Sequence, residues 1–371
     1  MDNLFLFAVI SLLGSYFLVF ILIPKISWIV QSRNLMDQPN HRSSHKSSTP
    51  SMAGVSFFLV LIFMLNAINA WDTENIGINL IAATGLMFAI GLKDDLIVST
   101  PRAKIGGEIL AIFFVIFCNC LEVSSLEGFL GLNDLPIFLS YLIIVLLILT
   151  IVNAYNMIDG IDGLASVIGI AIFAIYGTIF YAAGLYFYFL LCLSLIGILL
   201  AYLRYNLSST KKIFMGDTGS LVIGFCIGFV SLKFLSMDTS LLSDYSFKGE
   251  NKLIVIGAIF FVPLFDTLRV IGVRLLDRKS PFHPDNNHIH HILIHSGLTH
   301  FKASLLLCFL NLGISTTLIL LSTIFNSLEM LGFMVLYFVF FLGVFHTLRI
   351  NVGNQIRYKY NYTLNRVKES K

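Results

Sequence analysis

Five short polar stretches hold most of the chemistry this chain can offer: MDQPNHRSSHKSSTP, GLKDDL, NAYNMIDGIDGLA, FMGDTGS and SPFHPDNNHIHHILIHSGL. In GLKDDL, Asp94 and Asp95 are adjacent and Lys104 follows ten residues after Asp94. Neighbouring carboxylates can hold a hard cation or lift one pKa towards that of a general base. They can equally be a solvated helix end. In NAYNMIDGIDGLA, Asn153, Asn156, Asp159 and Asp162 recur at every third residue. That step turns an ideal helix by about 300°, so the four drift across one side. Gly160 and Gly163 oppose a long helical continuation. The spacing predicts a span ending near Asn156 and a tight turn whose backbone can approach a ligand. Oxygen donors without Cys or clustered His suit Mg²⁺ or Mn²⁺ better than zinc; loop capping by Asn and Asp is the plainer reading.

FMGDTGS places Asp217 between two glycines, with Ser220 opening another apolar run. This is either a helix cap or a phosphate and metal cradle built from backbone N–H groups at a positive helix end. No Walker lysine pattern precedes it, so P-loop nucleotide hydrolysis is not supported. The last stretch carries His283, His288, His290, His291 and His295. A zinc site competes here, since His291 and His295 stand at i, i+4, but HExxH is missing and Pro281 and Pro284 break the lead-in. Imidazoles and nearby Arg side chains could instead donate to a diphosphate.

These stretches need elements to position them, and composition says which. With 57% hydrophobic and 12% charged residues and a mean hydropathy of +0.86, the solvent is a bilayer. Spans of about 20 residues are expected at roughly 4–24, 52–71, 76–92, 105–121, 136–153, 164–183, 185–203, 218–235, 253–271, 303–324 and 328–348. Nothing alternates like a barrel strand, so the expected fold is an all-α polytopic membrane protein of about eleven helices. It forms one membrane domain over residues 1–350, with a basic tail over 351–371. The first span lacks a basic lead and a cleavage site, and is expected to stay as a membrane helix. The five cysteines fall inside expected spans and read as apolar side chains. With the N-terminus outside and the C-terminus inside, all of the 24 Lys and Arg except Lys233, Lys248 and Lys252 fall on the inner side. The net charge of +3 then reflects orientation, not nucleic-acid binding. All five polar stretches share the cytoplasmic side, the layout of an enzyme at a membrane surface. A transporter or flippase would instead place ionisable groups near span centres. The span-embedded acids of note are Glu108, Asp266, which could pair with Arg269, and Glu329 at an outer margin.

In this order and on this topology, the motifs from Asp37 to His291 resemble the polyprenyl-phosphate N-acetylhexosamine-1-phosphate transferase family. HIHH in NNHIHHIL is more similar to its N-acetylglucosaminyl branch than to its muramoyl-pentapeptide branch, where three successive histidines are usual. The resemblance implies attack of a lipid phosphate on the sugar-bearing phosphate of a UDP-N-acetylhexosamine. The products are a polyprenyl diphosphate sugar and UMP, with undecaprenyl phosphate as acceptor, Mg²⁺ as the metal and Mn²⁺ as a substitute. It implies Asp217 as principal metal ligand with Asn156 close by, and Asp94 and Asp95 near the lipid phosphate, either of them a candidate base. Phe214 and Asp162 would hold the uridine, and Asp159 would support that pocket. Lys104, His288, His290 and His291 would contact phosphates, with Arg42, His45 and Lys46 of the first inner loop as further contacts. A bacterial inner membrane with a cytoplasmic site is implied, and a homodimer is left open. Two positions depart from the family pattern: Asn286 follows Asp285 where a basic residue is common, and Ala53 stands in one place of a usual glycine pair.

Overall fold

The computed structural model of the chain describes residues 2–33, 35–37, 49–97, 99–280 and 287–369. Among these, eight helices are long and apolar enough to cross a membrane: Asn3–Ser32, Gly77–Leu96, Ile137–Ile158, Leu164–Ala182, Tyr186–Asn206, Gly216–Ser236, His300–Leu321 and Ser327–Asn351. The segments expected at 52–71 and 105–121 form shorter helices, Gly54–Ala67 and Pro101–Ile116. At 1.5 Å per residue these are about 21 and 24 Å long, less than a hydrocarbon core of about 30 Å. The single span expected at 253–271 is a pair, Gly249–Ile259 and Phe261–Leu276, bent by 72°. Pro263 has no N–H and its ring excludes the carbonyl of residue 259, so the helical ladder breaks there. Asn311 repairs the break, donating through Nδ2 to Ile259 O (2.9 Å) and accepting Val262 N–H at Oδ1 (2.9 Å). Ser315 Oγ donates to Ala258 O at 2.8 Å. In lipid these backbone groups would have no water to turn to.

The all-α expectation holds for the spans, whereas the connections also form two small antiparallel ribbons. Met36–Asp37 pairs with Thr49–Pro50, and Ser125–Phe129 pairs with Leu132–Asp134. The core of the bundle is the Gly216–Ser236 helix, whose apolar run is covered on every side, as a run without a polar face must be, while its polar residues sit near its two ends. Its neighbours approach to backbone contact. A Cβ on Gly54 would lie 2.1 Å from Gly219 N, and one on Gly91 would lie 2.5 Å from Thr218 Cα. Small residues at such crossings are what permit helices to close together in a bilayer.

Away from the polar motifs, at the other end of the bundle, Lys233 and Lys252 are buried in pairs. Lys233 Nζ lies 2.5 Å from Glu74 Oε1 and 4.9 Å from the centre of the Tyr188 ring. Lys252 Nζ lies 2.6 Å from Glu127 Oε1 and also donates to Met237 O. Lys248 Nζ donates to Ile324 O at 2.6 Å. These are the three lysines that the charge argument left on the outer side.

Candidate active site

Four helix ends bring the polar motifs together. The Gly77–Leu96 helix carries Asp94 and Asp95 in its last turn, and the Pro101–Ile116 helix carries Lys104 in its first turn. The latter starts with Pro101 at a position that needs no N–H, and Thr100 Oγ1 accepts Ala103 N–H at 3.4 Å. Ile137–Ile158 delivers Asn156, and Gly216–Ser236 delivers Asp217 from its first turn.

Lys104 Nζ is the hub. It donates to Asp217 Oδ1 (3.0 Å), Asp94 Oδ2 (3.2 Å) and Asn156 Oδ1 (3.4 Å). Asn156 Nδ2 donates in turn to Asp217 Oδ1 (2.5 Å) and Ser220 Oγ (2.7 Å). Asp94 Oδ1 accepts Ser99 N–H at 2.6 Å, which ties the turn between its helix and that of Lys104. Asp95 faces another way. Its Oδ1 accepts Asp217 N–H at 2.7 Å, and its Oδ2 accepts Thr218 N–H at 3.0 Å and the Thr218 hydroxyl. A carboxylate from a neighbouring helix thus supplies the acceptor that the first turn of Gly216–Ser236 lacks, and it compensates the positive helix end. Asn153, the first of the four evenly spaced residues, leaves the cluster: its Nδ2 donates to buried Glu108 Oε2 at 2.6 Å.

The Ile137–Ile158 helix runs two residues past the expected Asn156 and stops at Asp159, where the turn through Gly163 begins. That turn is pinned by Gly163 N–H to Asn206 Oδ1 (2.7 Å) and by Ser304 Oγ to Asp162 O (2.9 Å). Asp159 is half-buried. Crowding by protein, followed by the charges of Asp217, Asp95 and Asp162, raises its pKa well above the ordinary carboxyl value. At Asp162 burial pushes upward too, but hydrogen bonds with His300 and Lys212 hold the net pKa below the usual value. Lys212 Nζ is 2.6 Å from Asp162 Oδ2 and His300 Nδ1 is 3.1 Å from it. Lys212 also lies 5.3 Å from the centre of the Phe214 ring, so it links Asp162 to Phe214.

The C-terminal end of the first inner loop bonds to the backbone at Phe214 and Met215. Phe214 N–H donates to Pro50 O (2.8 Å), and Ala53 and Gly54 N–H donate to Phe214 O and Met215 O, each at 3.1 Å. Arg42, His45 and Lys46 of that loop lie outside the described residues, as do His283, Asp285 and Asn286 of the last loop. His288, His290 and His291 form one ring cluster, with centroids 5.4 Å apart for His288–His290 and 4.4 Å for His290–His291. It joins the acidic turn at Gly160, where a Cβ would stand 2.4 Å from His290 Nε2. Gly160→Ala must therefore displace His290. A shift of about 1 Å at a positioned group can cost about 100-fold in rate, and transfer by this variant is expected to fall by that order. Unchanged turnover would separate His290 from the reaction.

Burial lowers His290 to about 3, against the opposing pull of Asp266. Burial, with the charges of His288 and His295, lowers His291 to about 4. The unfolded chain takes up these protons near 6.5, whereas the folded protein refuses them until the lower values. The contribution of these two rings to stability is therefore complete above pH 6.5 and is lost as pH falls towards 3. Thermal melts in detergent from pH 7 to pH 4 check this, and His290→Gln should flatten the decline. A melting temperature constant over that range would contradict burial of the neutral ring.

Among the described residues no three His, Cys, Asp or Glu side chains cluster as a ready metal cage. The oxygens of Asp94, Asn156 and Asp217 that converge on Lys104 nevertheless fit Mg²⁺, which takes one or two carboxylates together with substrate phosphate oxygens. Thr218, Ser220, Lys212, His300, Asp266 and Arg269 also belong to the site and were not singled out as site residues by sequence. Lys212 had a signal, standing two residues before Phe214; His300, which opens a span, had none.

Residues 77–235 match the family model described as glycosyl transferase family 4. The chain is 30% identical over 352 residues to an undecaprenyl-phosphate alpha-N-acetylglucosaminyl 1-phosphate transferase of Haemophilus influenzae, covering 92% of this chain and 94% of that protein. It is 31% identical over 353 residues to the protein of the same name from Pasteurella multocida, with coverage of 92% and 94%. A probable undecaprenyl-phosphate N-acetylglucosaminyl 1-phosphate transferase of Bacillus subtilis is 29% identical over 345 residues, covering 91% and 92%.

Proposed function

The chain belongs to glycosyl transferase family 4, and on that premise we propose that it moves N-acetylglucosamine 1-phosphate onto undecaprenyl phosphate. The donor is a UDP-N-acetylhexosamine, with UDP-N-acetylglucosamine first, and the reaction starts a lipid-linked envelope polysaccharide. The observation that carries this reading is the Lys104 hub, where a cation and three oxygen-bearing side chains from four helix ends meet.

An oxygen of the lipid phosphate bonds to the sugar-bearing phosphorus, and the bond from that phosphorus to the UMP oxygen breaks. Such a transfer asks for in-line positioning and neutralisation of oxygen charge. Lys104 neutralises phosphate oxygens, and His288, His290 and His291 donate to the diphosphate. Phe214 and Asp162 hold the uridine, with Asp159 supporting the turn between them. Asp217 and Asn156 would hold Mg²⁺ or Mn²⁺, which when bound draws charge from the phosphate oxygens. Asp94, which shares Lys104, would face the lipid phosphate, while Asp95, with both oxygens engaged by Asp217 and Thr218, fixes the helix end that carries Asp217. No base is required, because a phosphate monoester with a second pKa of about 6 is largely dianionic at neutral pH.

The topology belongs to the same proposal: eleven crossings of a bacterial inner membrane, N-terminus outside, with the two short helices and the bent pair counted as spans and the site on the cytoplasmic face. A homodimer is carried with it, the lightly covered Ser327–Asn351 helix being the face available to a second copy. Purified protein in detergent, given undecaprenyl phosphate, Mg²⁺ and a panel of UDP-sugars, should release UMP only when both substrates are present. EDTA should abolish the release and added Mg²⁺ restore it. Release unaffected by EDTA would remove the metal from the proposal, and no release with any donor would remove the reaction.

A further inference from the structure

The Phe261–Leu276 helix, which restarts after the bend at Pro263, carries Asp266 and Arg269 one turn apart. Asp266 is 1% exposed, and its carboxylate bonds both the histidine segment and Arg269 of its own helix. Its Oδ2 lies 2.8 Å from His288 Nδ1, and its Oδ1 accepts Ile289 N–H at 2.9 Å. Arg269 Nη2 donates to the same Oδ1 at 3.1 Å and to Asn287 O. One carboxylate and one guanidinium thus hold the backbone and the first side chain of NHIHH. An ionised carboxylate can only accept, so the facing Nδ1 carries the proton and Nε2 is the ring nitrogen left for a ligand.

The geometry points to Asp266 as a positioning residue for the transfer, acting through His288: it holds Nδ1–H and so orients the ring, and when the ring is doubly protonated it presents Nε2–H as a donor to a phosphate oxygen. This deepens the proposed function and rests on it for the identity of the ligand. Arg269 Nη2 and the Ile289 N–H both hold Oδ1 and so aim the Asp266 carboxylate in a buried place. An Asp266 that merely braced the bundle would not be coupled to the His288 side chain.

A double-mutant cycle on UMP release, paired with a spectrum of the wild-type protein, tests this. Asp266→Asn should lower kcat by about 10- to 100-fold, the usual effect of losing an orienting partner. In a His288→Ala background the same substitution should cost less than about 3-fold, because two residues acting as a unit are not additive. A full repeat of the loss in that background, or wild-type turnover by Asp266→Asn, overturns the inference. The spectrum covers the case in which Asp266→Asn does not fold. In ¹⁵N-histidine-labelled protein in detergent, with the His288 signals assigned by their loss in His288→Gln, Nδ1 should be protonated. A His288 protonated at Nε2 alone overturns the inference. Absence of transfer by the wild-type protein would instead be a failure of the reaction, and the spectrum would still decide the role of Asp266.

Discussion

Asp217→Asn should abolish turnover, by about 10³-fold or more in UMP release, while leaving the fold in place. Asp217 sits in the first turn of the most buried helix, and its Oδ1 gathers both Lys104 and Asn156. An Asn side chain keeps an oxygen for those two donors, so the local bonds survive. Its backbone N–H still reaches Asp95. What disappears is the negative charge that a divalent cation needs and that balances Lys104. The variant should melt near the wild-type temperature in detergent yet fail in transfer. Near-normal transfer would take the metal role away from Asp217, and gross unfolding would make its contribution structural.

The second large effect is expected from Lys104→Met, and it differs in kind. The ammonium group is shared by Asp94 and Asp217 from two separate helices, and its side chain is 14% exposed. Removing it leaves carboxylates facing each other across a shielded gap, and unpairing a buried charge costs about 3–5 kcal/mol. The variant should lose activity by about 100-fold or more and melt well below the wild type. Added Mg²⁺ should raise its melting temperature more than it raises the wild-type value, because an external cation then fills the role of the lost one. A variant as stable as the wild type, with or without Mg²⁺, would show that Lys104 does not balance the two acids.

The polar stretches were legible because so few charges interrupt such an apolar chain. Asp94, Lys104, Asn156 and Asp217 lie far apart in sequence and meet at one hub. The expected pairing of Asp266 with Arg269 is also present, at 3.1 Å. What Asp95 does could not be read from GLKDDL, since two adjacent acids on a helix point about 100° apart and packing alone decides which faces the hub. The same limit hid His300, whose contact with Asp162 depends on how one span leans on another. The bend near Phe260 was hidden by hydropathy: the run is apolar throughout, and only Pro263 marks the break. The ribbon of Ser125–Phe129 was hidden because it is too short to alternate visibly.

The buried lysine–glutamate pairs at the far end have an electrical consequence. On the proposed orientation Lys233 and Lys252 face the outer side of an energised membrane. An elementary charge carried across 100 mV exchanges about 2.3 kcal/mol with the field. Each of these lysines is matched within 2.6 Å by Glu74 or Glu127, so each pair is a closed dipole with no net charge for the field to pull. These two buried pairs therefore add almost nothing to any response of that end to membrane voltage. Changes in cellular energisation should reach that end through charges such as Lys248, which donates to the Ile324 carbonyl, and not through the two buried pairs.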